Sequence, residues 1–202
     1  MDLLAFVRAS LPPPPVRLLE VGAGDGVLAR ALAEDGYQVL AIDPRPGGPD
    51  VRPVALLELA EPPGSFAAAL AVTSLHHVEP LEESIAHLAE LLAPGAVLVV
   101  DEFDVAAFDE RAAAWWLRQR ETLGKVENKS AAELVGEHRA HLHPLSRIVA
   151  ALEQHFDIGT PVYRPYLYRW GLAETLRPDE EDSIERGDIP AVGARLLASR
   201  LS

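Results

Sequence analysis

Apolar positions along the chain change period repeatedly, and the changes mark an alternation of short strands and amphipathic helices. Residues 2–10 carry Leu3, Leu4, Phe6 and Val7 at helical spacing, and the run Pro12 to Pro15 cannot continue a helix. A short apolar strand follows over 16–21 and runs into a glycine-rich turn. Val27, Leu28, Ala31 and Leu32 then recur on one helical face over 27–35, with Gly36 placed as a helix-ending glycine. Residues 39–42 read as a second buried strand, ended by Asp43 and a loop from Pro44 to Pro49. Strand, glycine turn, helix and strand make one βαβ unit.

Residues 53–59 are ambiguous between strand and turn, and 66–72 are apolar enough for a buried strand. Leu81, Ile85, Leu88, Leu91 and Leu92 share a face of a helix over 81–92, stopped by Pro94-Gly95. Another continuous apolar strand, 96–100, ends at Asp101-Glu102. Uninterrupted apolar strands between amphipathic helices imply a parallel sheet covered on both faces. Beyond 103 the rhythm changes. A long helix is predicted over 105–123 with Trp115-Trp116, a polar, histidine-containing stretch over 124–143, and a helix over 144–155 that opens on proline. Residues 156–162 read as a return to the sheet, 178–186 as a short helix and 191–199 as a last strand. Neither an internal repeat nor a domain boundary stands out, so the whole of 1–202 is expected to be one domain. Its parts are an N-terminal helix and proline-rich lead-in (1–15), a ligand-binding core (16–103), helices expected to line an acceptor pocket (104–155) and a C-terminal completion of the sheet (156–202).

Composition narrows the chemistry. With 18 basic and 31 acidic residues the formal net charge is −13, which repels a phosphate backbone, so no nucleic acid partner is expected. The absence of cysteine removes disulfides, thiolate metal sites and a cysteine nucleophile. Asp2 stands where a secretory signal wants positive charge, and no apolar run is long enough to span a bilayer. A cytoplasmic protein without membrane contact is the expectation.

The turn Glu20-Val21-Gly22-Ala23-Gly24-Asp25-Gly26 sits where a parallel sheet binds ligands, at the carboxyl end of its first strand. Alone it is also compatible with a dinucleotide. However, Val27 occupies the third small position of the dinucleotide fingerprint, and neither lysine, Lys125 or Lys129, has a tyrosine four residues before it. The phosphate loop of nucleotide hydrolases is absent as well. A nicotinamide-dependent oxidoreductase is thereby disfavoured, while Asp43 suits the ribose of either ligand.

With these residues in place, the chain resembles the class I S-adenosylmethionine-dependent methyltransferases. Residues 18–26 are similar to their first motif and 39–43 to their second. Residues 63–66 and 71–78 are similar to their fourth strand and its end, and 91–100 to the turn into their fifth. The resemblance implies a Rossmann-like three-layer αβα sandwich with a mostly parallel seven-stranded sheet, an antiparallel last strand and a helical insertion near 104–155. It implies S-adenosylmethionine as cofactor. Gly22, Ala23, Gly24 and Gly26 would pack against its methionine part, with Glu20 near the ammonium. Asp43 would hold the ribose, Pro44 would flank the adenine, and backbone near Leu56 and Leu57 would edge it. Ser74 and Leu75 would line the sulfonium side. Ala67 and Ala55 depart from the family's usual acids, and the second leaves adenine recognition to backbone groups.

Methyl transfer is an in-line displacement that needs a base only where the nucleophile must lose a proton. Candidate catalytic groups are His76, His77, Glu102 and His141. The His76-His77 pair could instead order its loop or the cofactor, and Asp101 and Glu102 could be solvated acids. His138, His141 and His143 with Glu137 form a second cluster, read as a polar loop near an acceptor rather than a metal site; no metal is expected. One of Trp115 and Trp116 belongs in the core and the other is an acceptor-site candidate, as are Tyr163, Tyr166, Tyr168 and Trp170. The motif of amino-directed DNA methyltransferases is absent, so the expected acceptor is a small molecule, with oligomeric state left open. A catalytically silent protein that binds the cofactor as a sensor or partner is the competing reading.

Overall fold

The strands predicted from apolar runs assemble into one sheet in the computed structural model, which describes residues 2–201. The strands are β1 (Arg17–Val21), β2 (Gln38–Asp43), β3 (Arg52–Pro53), β4 (Phe66–Val72), β5 (Leu92–Phe103), β6 (Phe156–Ile158), β7 (Val162–Arg164) and β8 (Gly193–Arg200). The helices are α1 (Leu3–Ser10), α2 (Val27–Glu34), α3 (Leu81–Leu91), α4 (Glu110–Thr122), α5 (Ala131–His141), α6 (Leu145–Leu152) and α7 (Arg177–Glu185). The sheet order is β3-β2-β1-β4-β5-β8-β6, with β7 pairing β8 beside that path. Seven strands were expected, and the eighth is the short β7. The pairs β1/β2, β1/β4, β2/β3 and β4/β5 are parallel, whereas β6 and β8 are antiparallel.

Two compact units divide the chain. The first comprises Met1–Glu102, Ser146–Pro161 and Arg195–Ser202; the second comprises Phe103–Leu145 and Val162–Ala194. In the first, adjacent strand residues such as Leu18 and Leu19, or Ala69 and Leu70, are all buried, as two covered faces require. Val7 of α1 and Leu32 of α2 pack on Leu18, Leu70 and Val99. The registers place Val21 beside Ile42 and Ala71, and Val72 beside Asp101, so the carboxyl ends of four strands meet at one edge.

In the second unit, α4 begins at Glu110 and not near 105, because Asp109 caps it, accepting from the Ala112 amide at 3.0 Å. Both Trp115 and Trp116 are buried in a core with Phe103, Phe108, Leu134 and Tyr166, so neither is left over for an acceptor. The stretch over 124–143 is largely helical: Ser130 and Glu133 form a capping box that starts α5, which buries Leu134 and Val135.

Candidate active site

The glycine turn approaches the end of β4 more closely than any side chain would permit. A Cβ on Gly22, whose φ is +71°, would lie 2.3 Å from the Ser74 Cβ. The amides of Gly22 and Ala23 both donate to the Ile42 carbonyl at 2.9 Å, tying the turn to β2. Asp43, at the end of β2, accepts from Gly24 N at 3.0 Å and from Arg45 N at 2.8 Å, so its half-buried carboxylate fastens both loops. Gly26, at φ +74°, opens α2 against Val51 and lines neither of the cavities described next.

Two cavities share Gly22. One, of about 360 Å³, is bounded by Asp43, Pro44 and Arg45, by Val54 to Leu57, and by Thr73, Ser74 and His77. Its size is ordinary for a small-molecule site, roughly 300–1,000 Å³. The other, also about 360 Å³, is bounded by Glu20, Gly22 to Asp25, and the apolar side chains of Leu3, Leu4, Val27 and Leu28. The sequence-expected residues Gly22, Asp43, Pro44, Leu56, Leu57 and Ser74 thus border the first, and Glu20, Ala23 and Gly24 the second. Leu75 borders neither: its side chain is fully buried. The helix residues Leu3 and Leu4 were not expected here, since only the folded arrangement carries α1 to the turn.

Glu20 and Ser74 hold the site's unmet polar capacity. Both are buried, and neither Glu20 Oε2 nor Ser74 Oγ has a hydrogen-bond partner among the described residues. Burial pushes the Glu20 carboxyl up to about 7, with a backbone hydrogen bond from Ala29 working the other way and nearby Asp25 adding to the rise. Buried groups of this kind are rare without a partner, which marks them as ligand-facing candidates.

The catalytic candidates separate. His77 is exposed and borders the first cavity. His76 is buried, with Nδ1 2.5 Å from Glu102 Oε2, and its ring lies 4.3 Å from that of His77. Glu102 and Asp101 are not solvated acids: Asp101 pairs with buried Arg195 at 2.5 Å, and Glu102 has no exposed surface. His141 is exposed on α5 in the second unit. There His138 Nδ1 donates to the Leu134 carbonyl within its own helix and its ring packs edge-on to Trp170, and His143 is buried. Among the described residues no group of three histidines or carboxylates is arranged to hold a metal ion.

A sequence model of the family described as "Methyltransferase domain" matches residues 1–138, more than half of the chain. The protein belongs to this methyltransferase family. A ubiquinone biosynthesis O-methyltransferase of Xanthomonas campestris pv. campestris is 36% identical over 110 residues, which are 47% of this chain and 46% of that relative. The match therefore spans less than half of the curated relative's length. Among solved structures, an S-adenosylmethionine-dependent methyltransferase from Mesorhizobium loti superposes with a TM-score of 0.65 at 20% identity, covering 97% of this chain and 96% of that one. The 1,6-didemethyltoxoflavin-N1-methyltransferase of Burkholderia thailandensis, solved with its substrate and S-adenosylhomocysteine, gives 0.58 at 18%, covering 98% and 76%. These superpositions show that this methyltransferase-family chain has the Rossmann-like fold of those enzymes.

Proposed function

We propose that the protein binds S-adenosylmethionine across Gly22 and transfers its methyl group to a small organic acceptor. The observation that carries the reading is the pair of buried polar atoms, Glu20 Oε2 and Ser74 Oγ, without a partner among the described residues and on elements that meet at a glycine with no room for a Cβ. A ligand with an ammonium group, a ribose and a flat aromatic base matches this set. Glu20 would favour the ammonium, the Asp43 carboxylate retains lone pairs for ribose hydroxyls, and Val54 to Leu57 with Pro44 would border the adenine. A nicotinamide dinucleotide offers no ammonium to Glu20.

The sulfonium supplies an activated methyl carbon when the cofactor is bound. The chain's own contribution is then alignment and removal of water around the nucleophile. His77 is the titratable side chain among the candidates that borders the first cavity, so it is the group placed to take a proton from an acceptor that needs deprotonation. The small-molecule acceptor agrees with the relatives, one named for ubiquinone biosynthesis and one solved with bound 1,6-didemethyltoxoflavin. Incubating the chain with S-adenosylmethionine carrying a labelled methyl group and a panel of phenols, amines and carboxylic acids tests this. Label should leave the cofactor for a member of the panel. Cofactor binding with no transfer to any of them would favour a silent binding protein.

A further inference from the structure

Glu102 is the next-to-last residue of β5, beside the loop that follows β4, and three donors converge on it. Oε1 accepts from Ser74 N at 2.8 Å and from Leu75 N at 2.6 Å, and Oε2 faces His76 Nδ1 at 2.5 Å. The carboxylate therefore takes two consecutive backbone amides and the next side chain of a single short turn. Thr73, just before this turn, stands at φ 54°, a left-handed conformation that β-branched residues rarely adopt. Its amide donates to the Asp101 carbonyl at 2.7 Å, so the strained residue is pinned from the same stretch of β5. On its other side the turn meets the glycine loop, where Ser74 leaves no space for a Cβ at Gly22.

We propose that Glu102 is a positioning residue that clamps residues 74–76 against Gly22 and so sets the wall of the cofactor cavity. The inference rests on the S-adenosylmethionine reading of that cavity. A carboxylate suits the task because it accepts several donors at once and donates none, and its bonds to backbone amides are charge-assisted. The second unit uses the same construction far from any glycine loop in sequence. There the fully buried Glu180 accepts from the amides of Tyr166, Leu167 and Tyr168 at 2.7, 2.9 and 2.8 Å, holding another tight turn. What distinguishes Glu102 is that the turn it holds includes Ser74, which borders the cavity, and His76, whose ring lies tilted against that of the cavity residue His77.

The geometry makes an unusual forecast for Glu102→Gln. Its carbonyl oxygen keeps the two backbone donors, which forces the amide NH₂ toward His76. Because a carboxylate can only accept, His76 carries its proton on Nδ1 in the wild type, and must give up that proton and protonate Nε2 in the variant. Long-range ¹H–¹⁵N spectra of the full chain read the tautomer directly. Calorimetric titration with S-adenosylmethionine should then give an affinity for Glu102→Gln within about threefold of wild type, since two of the three bonds keep their sense. Glu102→Ala leaves buried amides without an acceptor and should bind about 10- to 100-fold more weakly. Glu102→Asp, one methylene short, should fall with it and serves where the alanine variant does not fold. An unmoved His76 tautomer in Glu102→Gln, or wild-type affinity in both shortened variants, overturns the clamp. Failure of the wild type itself to bind S-adenosylmethionine overturns the functional reading instead, and the tautomer measurement still decides the clamp.

Discussion

Glu20 and Asp43 are carboxylates 23 residues apart in sequence with opposite circumstances at the same turn. Asp43 is half-buried and accepts two backbone amides, whereas Glu20 is buried with one oxygen unmet. Replacing Asp43 by alanine removes charge-assisted acceptors and should weaken S-adenosylmethionine binding by about 1–3 kcal/mol; unchanged affinity in a calorimetric titration would show that the ribose is held elsewhere. For Glu20 the consequence is a pH dependence. Its folded-state pKa, raised to about 7 from 4.5, means that the native chain retains a proton which the unfolded chain has released. Across that window the folded state binds more protons, so stability falls as pH rises from about 4.5 to about 7, by about 3 kcal/mol, and stays lowered above it. Glu20→Gln cannot ionise, so urea unfolding between pH 5 and 8 should show a shallower loss than wild type, and an identical slope would place the titration elsewhere. The positions of Gly22 and Asp43 at the ends of two strands are legible in the sequence, because glycine and aspartate close those apolar runs. Glu102 is legible as a candidate catalytic group but not as a clamp: its partners are mostly backbone amides, which leave no trace in a sequence.

At the scale of elements, the strands β1, β2 and β4 are legible almost to the residue because each is a mostly apolar run closed by glycine, aspartate or a polar turn. The fifth strand begins earlier than its apolar run, at Leu92, and passes through Pro94-Gly95 with an irregular register between Phe66 and Ala68 on its neighbour. Pairing with β4, a tertiary event, extends it over residues whose local preference is a turn. The opposite error occurred at α5. Few apolar residues suggested a polar loop, yet the Ser130-x-x-Glu133 start signal was present and the helix needs only Leu134 and Val135 to anchor it. This capping box gives a direct prediction. Ser130→Ala should lower stability by about 1 kcal/mol, read as a shift in the urea midpoint with little change in its slope. No shift would mean that packing of Leu134 and Val135 alone sustains α5.

At the scale of the whole molecule, contiguity in sequence does not decide which compact unit a segment joins: residues 146–161 belong to the unit of the parallel strands, and 162–194 join 103–145. No local period announces such an exchange, because α6 and β6 look alike whichever core receives them. The net charge of −13 is compatible with a cofactor carrying a sulfonium cation. No helix among the described residues is long and apolar enough to cross a membrane. The family, the fold and the unpartnered acceptors beside Gly22 converge on one donor, and the most direct test is a calorimetric titration of the full chain with S-adenosylmethionine, S-adenosylhomocysteine and NAD. The account predicts saturable binding of the first two at one site per chain and none of NAD. Binding of NAD alone, or of none of the three, would contradict it.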